Sequence, residues 1–312
     1  MMMVTAARRF VLGAVLALLS GLFSGQTLAQ DSPAKPMSQE EIQKELAESW
    51  EKASKVARLG PQAVALGAQG SLQVPNEIAF IPMPEAGGIL RALGNTVSPN
   101  LLGLVTSVDD SEEWFATVSY IPEGYIRDDD AKEWDADELL NNLRTGAERD
   151  NKDRKARGFP ELEILGWIER PTYTSADHKL VWSASLKDKG APAEAAGSVN
   201  YNTYVLGREG YFSLNFVTSS GMIEAQKPIA RTLLAGLQFV PGKRYEDFNP
   251  STDKVAAYGL AALVGGAALK KAGFFAIVAA LAAKFWKIGL VLVIALFGGA
   301  MKLLRRQSSG RA

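Results

Sequence analysis

The chain has no cysteine and one histidine, His178. Disulfides, thiolate metal sites and cysteine nucleophiles are therefore excluded, and imidazole chemistry must run through a single position. Net charge is missing as well: 34 lysines and arginines balance 34 aspartates and glutamates. No whole-chain field draws such a molecule to nucleic acid, which is not expected as a partner. Catalytic signatures are also wanting. There is no Gly-x-Ser-x-Gly elbow and no Gly-x-Gly-x-x-Gly after a strand, and Gly236 with Gly242-Lys243 misses the phosphate-loop spacing by one residue. No catalytic residue, metal ligand or cofactor is assigned on this basis.

Long apolar runs, by contrast, stand at both ends. Behind Arg8 and Arg9, Phe10 to Leu19 is apolar and is followed by small residues, with Thr27-Leu28-Ala29 at a cleavage position. That order of parts predicts a signal peptide over 1–29, because Ser20, Gly21, Ser24 and Gly25 break the run short of the ~20 residues a span needs. The other end has no acidic group from Val255 onward, and lysines 270, 271, 284 and 287 divide it into apolar blocks. Residues 254–304 are read as a membrane-anchor region with the strongest span at 285–304. Arg305 and Arg306 after it predict a cytoplasmic C-terminus. Ala257, Ala261 and Gly265 form a small-residue ridge suited to close helix–helix approach, which would permit self-association. The expected location is the inner membrane, with the soluble part in the periplasm.

Between the ends, residues 30–60 read as a polar leader followed by an amphipathic helix. Ser38 and Glu41 form its capping box, and Gly60-Pro61 stops it. Residues 61–250 read as one α+β domain, an antiparallel sheet with flanking helices. Short strands are expected at 63–66, 71–74 and 77–81, a short helix at 84–93, and an antiparallel pair at 101–108 and 114–121. Asp135 is the expected N-cap of a helix whose first half carries Leu139, Leu140, Leu143 and Ala147 and whose second half, 148–157, is charged all round. That second half reads as a solvated face laced by pairs such as Asp150 with Arg154. From Pro160 the period becomes two, giving strands at 162–169, 179–186, 198–206 and 211–217. Phe212, Leu214 and Phe216 alternate with Ser213 and Asn215, which predicts one buried and one polar face. A helix kinked or restarted at Pro228 then leads into a last strand at 237–240.

The segments Asn151 to Gly158, Gly166-Trp167, Pro171-x-Tyr173, His178-x-Leu180-x-Trp182, Asn200-Tyr201 and Leu206-Gly207-Arg208-x-Gly210-Tyr211 resemble a family of uncharacterised bacterial membrane-anchored proteins. So does the closing stretch Gly242 to Phe248 with Asp253-Lys254 and Ala256-Ala257-Tyr258-Gly259. The resemblance covers nearly the whole mature chain and implies an anchored domain of unknown function, so it brings no chemistry with it. The hairpin–helix–strand ending also resembles the small α/β sandwich of the photosystem II oxygen-evolving P subunit and Mog1-type proteins, a likeness of pattern that does not fix function.

Candidate contact residues are the aromatics and polar groups of the later strands: Trp167, Tyr173, His178, Trp182, Asn200 and Arg208. Such side chains form ligand platforms in clefts and also ordinary cores. Asp128, Asp129 and Asp130 invite a calcium reading, but Glu133 and Leu139 stand where an EF-hand needs glycine and glutamate. Ser251-x-x-Lys254 lacks the supporting elements of acylating serine enzymes. Two functions are consistent with these features. One is a non-enzymatic envelope module that binds a protein partner or small ligand. The other is an envelope hydrolase using Asp109, Glu112 or Glu123 with His178.

Overall fold

The computed structural model describes residues 38–265 except positions 110, 133, 157, 193 and 196. The leader read at 1–29 and the span read at 285–304 lie outside the described residues. Ser38 opens the first helix, α1 (Gln39–Ser54), through a complete capping box. Its hydroxyl accepts from the Glu41 amide at 3.2 Å while Glu41 Oε2 accepts from the Ser38 amide at 2.7 Å. Leu46, Trp50 and Ala53, four and three residues apart, form the buried stripe of that helix. They pack on α2 (Glu85–Ala92), whose Ala86, Ile89 and Leu90 are buried in turn.

Eight strands form one antiparallel sheet: β1 (Arg58–Leu59), β4 (Ile78–Pro82), β5 (Leu101–Ser107), β6 (Trp114–Ile121), β7 (Leu162–Thr174), β8 (Lys179–Asp188), β9 (Ser198–Leu206) and β10 (Tyr211–Ser219). Their order is β1-β4-β5-β6-β10-β9-β8-β7. A smaller sheet, ordered β11-β3-β2, joins β2 (Gln62–Leu66) and β3 (Gly70–Val74) to β11 (Leu237–Phe239). Three further helices complete the fold: α3 (Ala136–Ala156), α4 (Ile223–Gly236) and the short α5 (Ala261–Gly265). This is the α+β antiparallel architecture expected. Among the described residues no helix is long and apolar enough to cross a membrane.

Strand alternation gives the large sheet two faces, and both are covered. On one face Phe80, Trp114, Phe212, Leu214 and Phe216 pack with Val64 and Leu72 of the small sheet and Leu233 of α4. The other face carries two separate apolar clusters. Ile81, Leu104, Phe115 and Val217 lie with α1 and α2. Trp182, Ala184, Tyr204 and Tyr211 lie with α3 and the chain around 256–264. Every residue of β9 is consequently buried, and the polar alternation of β10 does not face open water: Asn215 is only 6 % exposed and Ser213 is half-buried.

The edges of the large sheet are blunted. β1 has two residues, and β7 shifts register against β8 at three places while carrying Glu163, Glu169, Arg170 and Pro171. The sequence pattern predicted that this strand ends at Glu169; it continues to Thr174, with Tyr173 opposite Leu180, because an edge strand tolerates the proline that a central one would not. Helix α4 is likewise continuous through Pro228 rather than restarted. Buried Ile223, Ala230, Leu233 and Leu234 hold both of its halves on the core, and tertiary burial outweighs the missing amide.

The second half of α3 departs from its expected solvated character. Asn151 and Arg154 are 1 % and 4 % exposed. Arg154 Nε donates to the Pro160 carbonyl at 2.8 Å, and Asp150 has an ion pair with its neighbour Arg149 at 3.5 Å. Residues 254–265, read from sequence as the start of the anchor region, pack into the domain. Ala256, Leu260, Ala262 and Val264 are buried and α5 lies against α3; of the small-residue ridge, Ala257 stands outside the helix and Ala261 is half-buried. Asp130 fixes this segment, each carboxylate oxygen accepting an amide, from Leu260 and from Ala261, at 3.0 Å. A side chain at position 259 would place Cβ 2.4 Å from that carboxylate, hence Gly259. Asp135 Oδ1 caps α3 through the amides of Asp137 and Glu138. Asp130 and Asp135 are thus spent on backbone amides and Asp128 on a tyrosine. Among the described residues no group of three or more acids or histidines could hold a metal ion.

Candidate functional site

His178 ends the tight connection between β7 and β8, where its φ is +52°. Histidine is one of the few residue types other than glycine found there with any frequency. Its carbonyl accepts the Leu206 amide at 3.0 Å, which ties the turn to the end of β9. Five residues back, Tyr173 Oη donates to Asp128 Oδ2 at 2.8 Å and stands 3.1 Å from His178 Nδ1. Burial first, and then the hydrogen bond to Asp128, push the Tyr173 phenol well above its ordinary value, so it keeps its proton.

A phenol has one proton to give. With that proton on Asp128, the contact to His178 requires Nδ1 to be the donor, leaving Nε2 of the neutral ring as its acceptor. The expected result is a His178 ring that carries a hydrogen on Nδ1, visible in the ring ¹⁵N chemical shifts. Tyr173→Phe should return it to the Nε2–H form common in water. A wild-type ring in the Nε2–H form would contradict the network.

The imidazole also begins a stack of rings. His178 lies 4.1 Å from Tyr245, Tyr245 lies 4.3 Å from Tyr125, and Tyr125 lies 3.8 Å from Phe248. Tyr245 Oη donates to the Ile126 carbonyl at 2.8 Å, which fixes the middle of the stack, while His178, Tyr125 and Phe248 are half-buried. Beside it, the β9–β10 hairpin turns at 207–210. Gly210 is required by close approach, since a Cβ there would sit 2.0 Å from the Ile121 carbonyl oxygen.

Arg208, in the same turn, makes a two-pronged ion pair with Asp253: Nε to Oδ2 at 2.6 Å and Nη2 to Oδ1 at 2.8 Å. Asp253 also accepts the Asn249 amide at 2.8 Å. The Arg208 guanidinium and then that amide hold the Asp253 carboxyl well below the usual range. A carboxyl depressed by folding contributes stability above its unfolded value, about 4, and that contribution is lost as pH falls through and below it. Wild type should therefore lose melting temperature more steeply than Arg208→Gln between about pH 5 and pH 2. Parallel acid limbs would show the pair to be idle.

The six sequence candidates do not line one cleft. Tyr173 and His178 meet, and Arg208 stands at the same end of the sheet. Trp182 is 2 % exposed and meets Trp167 edge to face at 5.8 Å, with Trp167 Nε1 donating to the Ala136 carbonyl at 3.0 Å. Both tryptophans pack under α3 as scaffold. Asn200 is 1 % exposed, in the interior of β9. A cavity of about 260 Å³ between α3 and β7, lined by Arg144, Glu148 and Leu162 to Leu165, holds none of the six.

Of the carboxylates proposed to work with His178, Glu123 follows β6 at the sheet end where His178 stands, whereas Asp109 and Glu112 are far from it. Asp109 caps its own turn through Ser111, and Glu112 accepts from Trp114 Nε1 and Gln226 Nε2, both at 3.0 Å. Both acids precede β6, whereas His178 lies level with its far end through the pairings Lys179–Val205, Leu206–Tyr211 and Tyr211–Ile121. Seven strand steps separate the two ends, roughly 24 Å at ~3.4 Å each. Sequence reasoning missed Tyr125, Tyr245, Phe248 and Asp253 as site neighbours, and weighed Asp128 only for calcium. Aromatic enrichment in 245–248 was the one local signal that pointed to them.

No curated protein matches this chain in sequence. Among solved structures, the solution structure of cyanobacterial PsbP (CyanoP) from Synechocystis sp. PCC 6803 is similar at 8 % identity and a TM-score of 0.37, covering 57 % of this chain and 92 % of that one. A superposition that loose carries no inference. The family model described as "Protein of unknown function (DUF2167)" matches residues 58–296, which spans β1, both sheets and the Arg208–Asp253 staple, and the chain belongs to that family.

Proposed function

We propose that the protein is an exported, membrane-anchored binding module of the cell envelope, without catalytic activity, whose contact surface is the ring stack of Phe248, Tyr125, Tyr245 and His178. The observation that carries this reading is the position of the stack. It lies beside the last described segment of the chain, which is fastened by Arg208–Asp253, by the bridge between Tyr125 and Val255, and by Asp130 at Leu260 and Ala261. Directly after that segment the sequence becomes apolar and cationic. A half-buried aromatic patch at such a place suits a partner held beside the same membrane.

Because the native chain lacks cysteine, the location can be tested by single-cysteine labelling. In intact bacteria with a permeabilised outer membrane, an impermeant maleimide should label Asn76→Cys, and should label Ser308→Cys only after lysis. Equal protection of both would refute export. Chemical crosslinking in the same cells should give an adduct that Phe248→Ala removes, and an unchanged pattern would refute the surface.

A further inference from the structure

The outer strand of the large sheet, β7, carries apolar side chains where an edge ordinarily avoids them. Its register with β8 runs Ile164–Leu186, Gly166–Ser185, Trp167–Ala184 and Glu169–Ser183, which leaves Leu165 and Ile168 out of the ladder. The two hold equivalent places. Each follows a residue packed with the α3 cluster, Ile164 or Trp167, and precedes one on the opposite side of the pleat, Gly166 or Glu169. Both project from the edge, 43 % and 40 % exposed. Beside Leu165, the cavity of about 260 Å³ between α3 and β7 gives room for an entering side chain.

From Glu163 to Arg170 the exposed residues are Glu163, Leu165, Ile168 and Arg170. That order is symmetric about the Gly166–Trp167 peptide bond: Leu165 and Ile168 form the inner pair, Glu163 and Arg170 the outer one, and the outer pair is opposite in charge. Laid antiparallel on a second copy about a twofold axis at that point, the edge sets Leu165 against Ile168 and Glu163 against Arg170, twice over. An unrelated partner requires no such order. Gly166 stands beside the axis with open space where a Cβ would point, so a second backbone can come near. Within one chain Arg170 reaches Asp137 at 3.5 Å with both side chains exposed, a pair too weak in water to hold it back. Backbone pairing is not the means, because Asn151 and Arg144 already occupy the carbonyls of Leu162, Ile164 and Leu165. We infer that the β7 edge is a self-association surface on which two copies of this chain meet side chain to side chain, Ile168 of each entering beside Leu165 of the other. The inference does not depend on the ring stack at the sheet end.

A contact of one strand edge lies at the small end of specific interfaces, under ~1,200 Å², so the pair is transient and the test traps it. The native chain has no cysteine, so Leu165→Cys and Ile168→Cys versions of the full chain, carrying different tags, can be mixed in detergent and oxidised with copper phenanthroline. The disulfide joining one variant to the other should exceed both like-with-like products. Asn76→Cys, on the turn before β4 and so across the sheet from β7, should give little dimer. Glu163→Arg, or separately Arg170→Glu, placed in both mixed chains, should cut the mixed product about threefold or more, and the two reversals together should restore it. Melting temperatures should stay level, since both positions are exposed. A mixed product no greater than the like-with-like ones, as much dimer at Asn76→Cys, or no rescue by the double reversal would each overturn the assignment. The last would show that these charges do not meet across two copies.

Discussion

Truncating Trp182 to alanine is expected to destabilise the domain by about 3–5 kcal/mol, the usual range for emptying a large aromatic site in a core. Only 2 % of the residue is exposed, and it stands in one cluster with Leu180, Ala184, Leu139 and Leu143, with Trp167 against its edge. A natural domain has about 5–15 kcal/mol in all, so the variant should lose about a fifth or more of its stability. Trp167→Ala should cost less, because Trp167 is half-buried and part of its ring already faces water. Guanidinium denaturation of both variants at equal pH measures the difference. A loss below about 1 kcal/mol for Trp182→Ala would restore that residue to the role of an open ligand platform.

What the sequence made legible was local. Ser38 with Glu41, Asp135 ahead of α3, and the positions of strands β8 to β10 each announce themselves within a few residues, and the structure places them as expected. Features set by distant chain were hidden. The polar face of β10 reads as solvent-facing because serine and asparagine usually are, and nothing near it says that α1, α2 and α3 will lie over that side of the sheet. Helix α3 reads as solvated after Glu148 for the same reason. Its Asn151 and Arg154 are spent on the carbonyls of Leu162 and Pro160, beyond the helix end.

At the candidate site, Tyr173 and His178 come together because a tight turn between paired strands must bring them together. Asp128 reaches Tyr173, and Asp253 reaches Arg208, each across 45 residues. An acid that serves a partner so far along the chain looks the same in sequence as one that serves water. The stretch from Val255 onward reads as membrane-bound from its lack of acids, yet its first part through Val264 buries its apolar side chains against α3. Apolarity alone does not distinguish a lipid partner from a helix.

Asn151→Leu should have an effect of comparable size, through hydrogen bonding rather than volume. The Asn151 amide stands in for a neighbouring strand: its Nδ2 donates to the Leu162 carbonyl at 2.8 Å, and its Oδ1 accepts the Leu162 amide at 2.7 Å. Leu162 begins β7, the sheet's edge, so these are backbone groups that β8 does not reach. One stretch earlier on the same helix, Arg144 donates to the carbonyls of Ile164 and Leu165 at 3.2 Å and 2.7 Å. Helix α3 thus closes the sheet edge with side chains where a further strand would use its backbone, and the spacing of 144, 151 and 154 keeps these side chains on one helical face. Leucine would fill the volume and leave a buried amide and a buried carbonyl unmet, at about 1–3 kcal/mol each. The sum, roughly 2–6 kcal/mol, corresponds to a fall in melting temperature of about 4–24 °C for a domain of this size. Hydrogen exchange separates this cause from simple misfit, because protection of the Leu162 amide should vanish in Asn151→Leu while the β9 and β10 amides keep theirs until global unfolding. Retained protection at Leu162 would mean that something other than Asn151 satisfies the edge.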